Sequence, residues 1–117
     1  MANAFKNAGA AIATSRTDVY TCPAATEAVI HAVYLSNVDG TSSVDATIEV
    51  YDNSGTAYYH VGKTLPVPAD STLALDKPIN LEAADKLTVT ASAASDLECF
   101  ISVLEITYCL MWVTQLV

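Results

Sequence analysis

Four residues, Val61-Gly62-Lys63-Thr64, read like the end of a phosphate-binding loop, where backbone N–H groups and a lysine hold phosphate oxygens. The full pattern needs a glycine five residues before Gly62, and Ala57 stands there. Pro66 also blocks the helix that would have to follow. His31 and His60 are the only imidazoles, and an imidazole serves as a metal ligand or a general base. No Cys, Asp or Glu lies at ligand spacing beside either, so both read as surface or interface histidines with a local partner. Asp39, Asp45, Asp52, Asp70, Asp76 and Asp85 fall mostly where the chain turns. A calcium loop would need several of them converging in one D-x-D-x-D-G stretch, and turn chemistry explains them better. Nothing points to a paired-carboxylate hydrolase. The neighbours Tyr58 and Tyr59 point to opposite faces of a strand, so they form no single platform for a sugar. Cys22, Cys99 and Cys109 are an odd number with no C-x-x-C pair; they read as buried free thiols of a reducing compartment. The expectation is a protein that is not an enzyme, with no catalytic residues, cofactor or metal.

The elements around these residues are β-strands. Thr17 to Cys22 is a short strand stopped by Pro23. Glu27 to Val38 is apolar on both alternations: Val29, Val33 and Leu35 on one, Ile30, Ala32 and Tyr34 on the other. Such a strand is buried on both sides or sits at an interface. Val44 to Asp52 alternates cleanly, with Val44, Ala46, Ile48 and Val50 against Asp45, Thr47, Glu49 and Tyr51. Asp52-Asn53-Ser54-Gly55 then turns the chain into a hairpin partner over 56–61. Shorter strands follow over 63–68, 72–75, 78–81 and 87–91, and a long one over 97–107. About eight short strands with turns between them predict an all-β protein, an antiparallel β-sandwich or jelly roll. Three parts are expected: an N-terminal arm over 1–16, anchored by Phe5 and Ile12, a sandwich over 17–106, and an apolar C-terminal strand or arm over 107–117.

The chain has 117 residues, a formal net charge of −8, 52% hydrophobic and only 15% charged residues. That is one domain, too apolar for disorder. Its cations are Lys6, Arg16, Lys63, Lys77 and Lys86 alone, so no basic patch exists for nucleic acid. The N-terminus lacks the apolar run of a signal peptide, and the C-terminal run is too short for a membrane span. That run, Tyr108 to Val117, has no charged side chain. Left in water it is an aggregation hazard. It is either a last strand of this subunit or an arm buried on another one, with Trp112 as the anchor.

Leu81-Glu82-Ala83-Ala84-Asp85-Lys86-Leu87-Thr88-Val89-Thr90-Ala91-Ser92-Ala93-Ala94, followed by Ile101-Ser102-Val103-Leu104-Glu105-Ile106, resembles the end of small virion structural proteins of tailed phages of marine bacteria and cyanobacteria. Met-Ala-Asn-Ala-Phe-Lys-Asn at the start and Val19-Tyr20-Thr21-Cys22-Pro23-Ala24 resemble the same group. The resemblance implies a particle component such as a capsid decoration (cement) protein, a head–tail adaptor or a tail or fibre-associated protein. It implies a homo-oligomer, a trimer being common among decoration proteins, that binds the major capsid protein or other virion proteins. It carries over no catalytic residue, and nucleic acid and membrane are not expected partners. A decoration protein this acidic is expected on the outer capsid surface, made in the host cytoplasm. The residues expected at an assembly interface are Phe5, Ile12, Tyr108, Leu110, Met111, Trp112, Val113 and Leu116. A carbohydrate-binding β-sandwich module is the alternative from outside the particle.

Overall fold

The structure, a computed structural model, describes residues 2–107. The expected contacts of Tyr108, Leu110, Met111, Trp112, Val113 and Leu116, and the thiol of Cys109, lie outside them. The described chain forms nine strands: β1 (Ala2–Ile12), β2 (Thr17–Thr21), β3 (Thr26–Asn37), β4 (Val44–Asp52), β5 (Ala57–Val67), β6 (Thr72–Leu75), β7 (Ile79–Leu81), β8 (Lys86–Ala91) and β9 (Leu97–Thr107). Among the described residues no helix is long and apolar enough to cross a membrane.

The strands make two antiparallel sheets packed face to face. Sheet I has the order β1-β9-β3-β6, with β7 following β6 along the same edge of β3. Sheet II has the order β2-β8-β4-β5. The chain therefore crosses between sheets after β1, β2, β3, β5, β7 and β8. Only the β4–β5 hairpin and the β6–β7 step stay within one sheet.

Alternation fills the space between the sheets. Val44, Ala46 and Ile48 of β4 point inward, as do Leu87, Val89 and Ala91 of β8. From sheet I come Leu97, Cys99, Ile101 and Val103 of β9 and Ile30, Val33 and Leu35 of β3. Ile30 and Val33 lie on opposite alternations, yet both are inside. A bulge between Ile30 and Ala32 inserts His31 as an extra residue opposite β9, and the phase of β3 flips there. This bulge is why the sequence of β3 is apolar on both alternations: each serves the core over half the strand.

The segment expected as an arm is a full strand. Ala2 to Ile12 pairs with β9 in one unbroken register, from Ala2 opposite Thr107 to Ile12 opposite Leu97. Its inner residues are small, Ala8 and Ala10, and its end residue Ile12 is 2% exposed. Ile12, expected at an assembly interface, thus packs into this chain's own core. The segments expected as separate strands over 56–61 and 63–68 are the single strand β5, bent by bulges opposite Ala46 to Glu49.

The turns use left-handed residues other than glycine. Thr56, at φ 54°, closes the β4–β5 loop with its N–H on the Asn53 carbonyl at 3.3 Å. Gly55 serves there by having no side chain, since a Cβ would sit 2.8 Å from a carboxylate oxygen of Asp52. One carboxylate belongs to the inner layer: Glu105 of β9 is buried and accepts a hydrogen bond from the Tyr20 hydroxyl at 2.5 Å. Lys6 approaches it to 3.8 Å.

Three substitutions test this core. Ile48→Ala, at a side chain with 0% exposure, is expected to lower stability by about 2–5 kcal/mol in urea unfolding. Val38→Ala, on an exposed loop, is expected to change it by about 0.5 kcal/mol or less. Tyr20→Phe strips the buried Glu105 of its donor and is expected to cost about 1–3 kcal/mol by the same measurement.

Candidate interaction surface

A two-layer sandwich leaves one face of each sheet outward, and here the two outward faces differ in kind. The outer face of sheet II is polar and pairs with itself. Its centre is Glu49 on β4, placed outward by the same alternation that buries Ile48. Arg16 sits on the short crossing from β1 to β2 and reaches over to Glu49. Its Nε and Nη2 donate to the two carboxylate oxygens at 3.1–3.2 Å. The guanidinium lies 3.7 Å above the ring centre of Tyr58, which packs on Tyr51. His60, opposite Glu49 in the ladder, stands 3.7 Å from its other side. The crossing that holds Arg16 is itself tied to sheet II, through the Ala91 N–H on the Ala13 carbonyl at 3.0 Å.

The outer face of sheet I carries apolar rows between polar ones, since Asn3, Asn7, Glu27, Glu98 and Ser102 also lie on it. The register puts Phe5, Leu104 and Val29 in one row across β1, β9 and β3. A second row is Gly9, Phe100 and Tyr34. Ile106 lies in the row next to the first, between Asn3 and Glu27. Phe5 is 84% exposed, Tyr34 and Phe100 close to half, and Val29, Leu104 and Ile106 partly covered. His31, pushed out by the bulge, stacks on Phe5 with ring centres 6.4 Å apart. Phe100 lies against Gly9, 3.4 Å from where a Cβ would be. A shallow hollow beside it is lined by Gly9, Ala10, Ala11, Ser36 and Glu98.

Of the residues expected at an interface, the structure exposes Phe5 and buries Ile12. Phe100, Leu104 and Ile106, which sequence reasoning did not single out, also face outward, as do Val29 and Tyr34 of the strand read as buried on both sides or at an interface. The signal was present: Leu97 to Thr107 is apolar on both alternations, and a central strand of a two-layer sandwich has one layer to bury one of them.

The side chains with chemical potential are occupied structurally. His60 faces Glu49 and His31 faces Phe5. Val61 to Thr64 lies within β5, not in a loop before a helix. Asp52, Glu82 and Asp85 bring carboxylate oxygens within 4.8 Å of one another. Asp85 accepts the N–H groups of Asn53 and Glu82 at 2.9 Å each, and Asp52 accepts the Ser54 hydroxyl. These bonds tie the β4–β5 loop to the turn before β8, which is the turn chemistry expected of these aspartates. Cys22 and Cys99 are buried free thiols. Burial pushes the Cys22 thiol up to about 11, with the charge of Glu105 adding to it, and the Cys99 thiol up to about 12. A thiolate is the reactive form, so neither is a nucleophile at neutral pH.

Comparisons with known proteins follow this geometry. No protein-family model matches the chain, and no curated protein matches it in sequence. Two solved structures share the fold. A subunit of the disulfide-linked pili of Bacillus endospore appendages is 19% identical with a TM-score of 0.56, over 92% of this chain and 88% of its own. A protein of the capsid of Helicobacter pylori bacteriophage KHP30 is 14% identical with a TM-score of 0.53, over 92% of this chain and 95% of its own.

The raised thiols give a pH prediction. The folded chain holds both protons to higher pH than the unfolded chain does, so their stabilisation is complete below about pH 9 and is lost as pH rises through about 11–12. Thermal melts are expected to fall over that window. Peptide-mapped alkylation at pH 8 is expected to leave Cys22 and Cys99 unlabelled until the protein is unfolded.

Proposed function

We propose that the chain is a non-enzymatic structural subunit of a virus particle, a phage capsid decoration protein that stabilises the head from its outer surface. The observation that carries this reading is the pair of exposed apolar rows, around Phe5 and Phe100, on the outer face of sheet I in this particular strand order. The order β1-β9-β3-β6/β7 facing β2-β8-β4-β5 supports reading the sandwich as a jelly roll, an architecture that capsid and lectin domains share. Two solved structures that share the fold come from protein assemblies, a pilus and a phage capsid. The net charge of −8 keeps such a subunit away from packaged DNA.

The mechanism is association alone. Apolar area removed from water is worth about 25 cal/mol per Å², and many copies on one shell add avidity. Phe5 belongs to the contact surface. Residues 107–117 act as an inter-subunit arm in this reading, with Tyr108, Leu110, Met111, Trp112, Val113 and Leu116 as its buried side chains. A head–tail adaptor or a tail-associated protein uses the same surfaces at a much lower copy number.

Quantitative mass spectrometry of purified particles separates these roles. Hundreds of copies per virion are expected of a decoration protein, and a dozen or fewer would make it an adaptor or tail component. Particles lacking the chain are expected to open at lower temperature and to regain stability when the purified protein is added back. A chain absent from particles would overturn the proposal.

A further inference from the structure

Each sheet of an open sandwich ends in strands with unpaired N–H and C=O groups, and proteins usually blunt such edges. Three of the four edges here are blunted. β5 carries two bulges, Pro66, Lys63 and a left-handed Thr64. β2 is five residues long, with a bulge after Asp18 and the Asp18–Lys86 ion pair across it. The far edge of sheet I is broken into β6 and β7 by Asp76, Lys77 and Pro78. The fourth edge, β1, has a single one of these devices, the charge of Lys6. It runs eleven residues without a bulge or proline.

We infer that β1 is a self-pairing edge: two copies of this chain join their β1 strands antiparallel about a twofold axis at Asn7, merging two copies of sheet I into one continuous sheet. Asn7 is the midpoint of Ala2–Ile12, so this register pairs the strand over its whole length. The sequence is complementary to itself in that register. Phe5 falls opposite Gly9 of the second copy, where the missing side chain leaves the ring a place on the outer face. Lys6 falls opposite Ala8 and not opposite its own counterpart. Asn3 meets Ala11, Ala4 meets Ala10, and the two Asn7 side chains meet at the axis, where amides both donate and accept. Phe100 already flanks Gly9 from the other side. The two outer faces thereby become one surface. The inference rests on reading the chain as a self-associating subunit and specifies the edge, the register and the symmetry.

Analytical ultracentrifugation of the full chain tests it. The unaltered protein is expected to form dimers or multiples of them. Asn7→Lys and Asn7→Asp each set like charges face to face at the axis and are expected to weaken association about fivefold. An equimolar mixture of the two is expected to restore it, because unlike charges then meet. Asn7 is exposed, so both variants are expected to keep the urea midpoint of the unaltered protein at low concentration. Association that persists equally in both variants overturns the β1 interface and leaves the subunit reading standing. Association lost on removing residues 108–117 but kept in both variants also overturns it, in favour of an arm contact. A monomer at every concentration up to millimolar overturns it together with self-association, whereas binding to particles is decided separately by the add-back experiment.

Discussion

A two-layer sandwich buries one face of each sheet and leaves the other two to be satisfied some other way. That constraint organises this protein. Nine strands supply one core, built from Leu35, Ile48, Leu87, Val89, Ile101 and their neighbours. The outer face of sheet II is satisfied within the chain. Glu49 is held by Arg16 in a two-oxygen grip, and Arg16 is seated on Tyr58. The outer face of sheet I is not, and it carries Phe5, Tyr34 and Phe100 into solvent. A half-apolar chain with few charges can fold as one small domain and still have apolar area left over: here Phe5, Tyr34 and Phe100 are exposed on sheet I, and Tyr58, Tyr59 and Val61 on β5 of sheet II.

The same contrast separates structural from chemical roles. Several described residues with catalytic or ligand-binding potential have structural partners. Asp85 fastens two turns, Tyr20 satisfies a buried carboxylate, and His60 faces Glu49. Burial holds the Tyr20 hydroxyl protonated far above its ordinary range, and its bond to Glu105 acts in the same direction. By contrast, Phe5, Tyr34 and Phe100 stay exposed and β1 stays an open edge among the described residues, and these are the surfaces the proposed association uses.

Much of the fold was legible because alternation is a strong signal where polar and apolar residues differ in size and kind. Val44 to Asp52, Thr72 to Leu75 and Leu97 to Thr107 are strands over those very residues. Ala2 to Ile12 was not legible as a strand because its signal is inverted. Small alanines point inward, and the one large aromatic, Phe5, points out. The bulge at His31 was hidden because nothing in the sequence marks which residue of an apolar run is the extra one. β5 was divided in expectation between residues 61 and 63, whereas the edge strand runs on through Gly62 and accepts Pro66 as well. The interaction surface was half legible. Phe5 stood out by size, but Phe100 and Leu104 look like core residues until the pairing shows which layer they face.

Hydrogen–deuterium exchange of the full chain, compared at dilute and concentrated protein, tests the assignment of sheet I as the association surface most directly. Amides of Ala2 to Ile12 have one open side in the single chain and lose it on association. Slower exchange at high concentration is expected along β1, with β2 and β5 of sheet II unchanged. Exchange that is independent of concentration along β1, or protection that falls instead on β5, would contradict it.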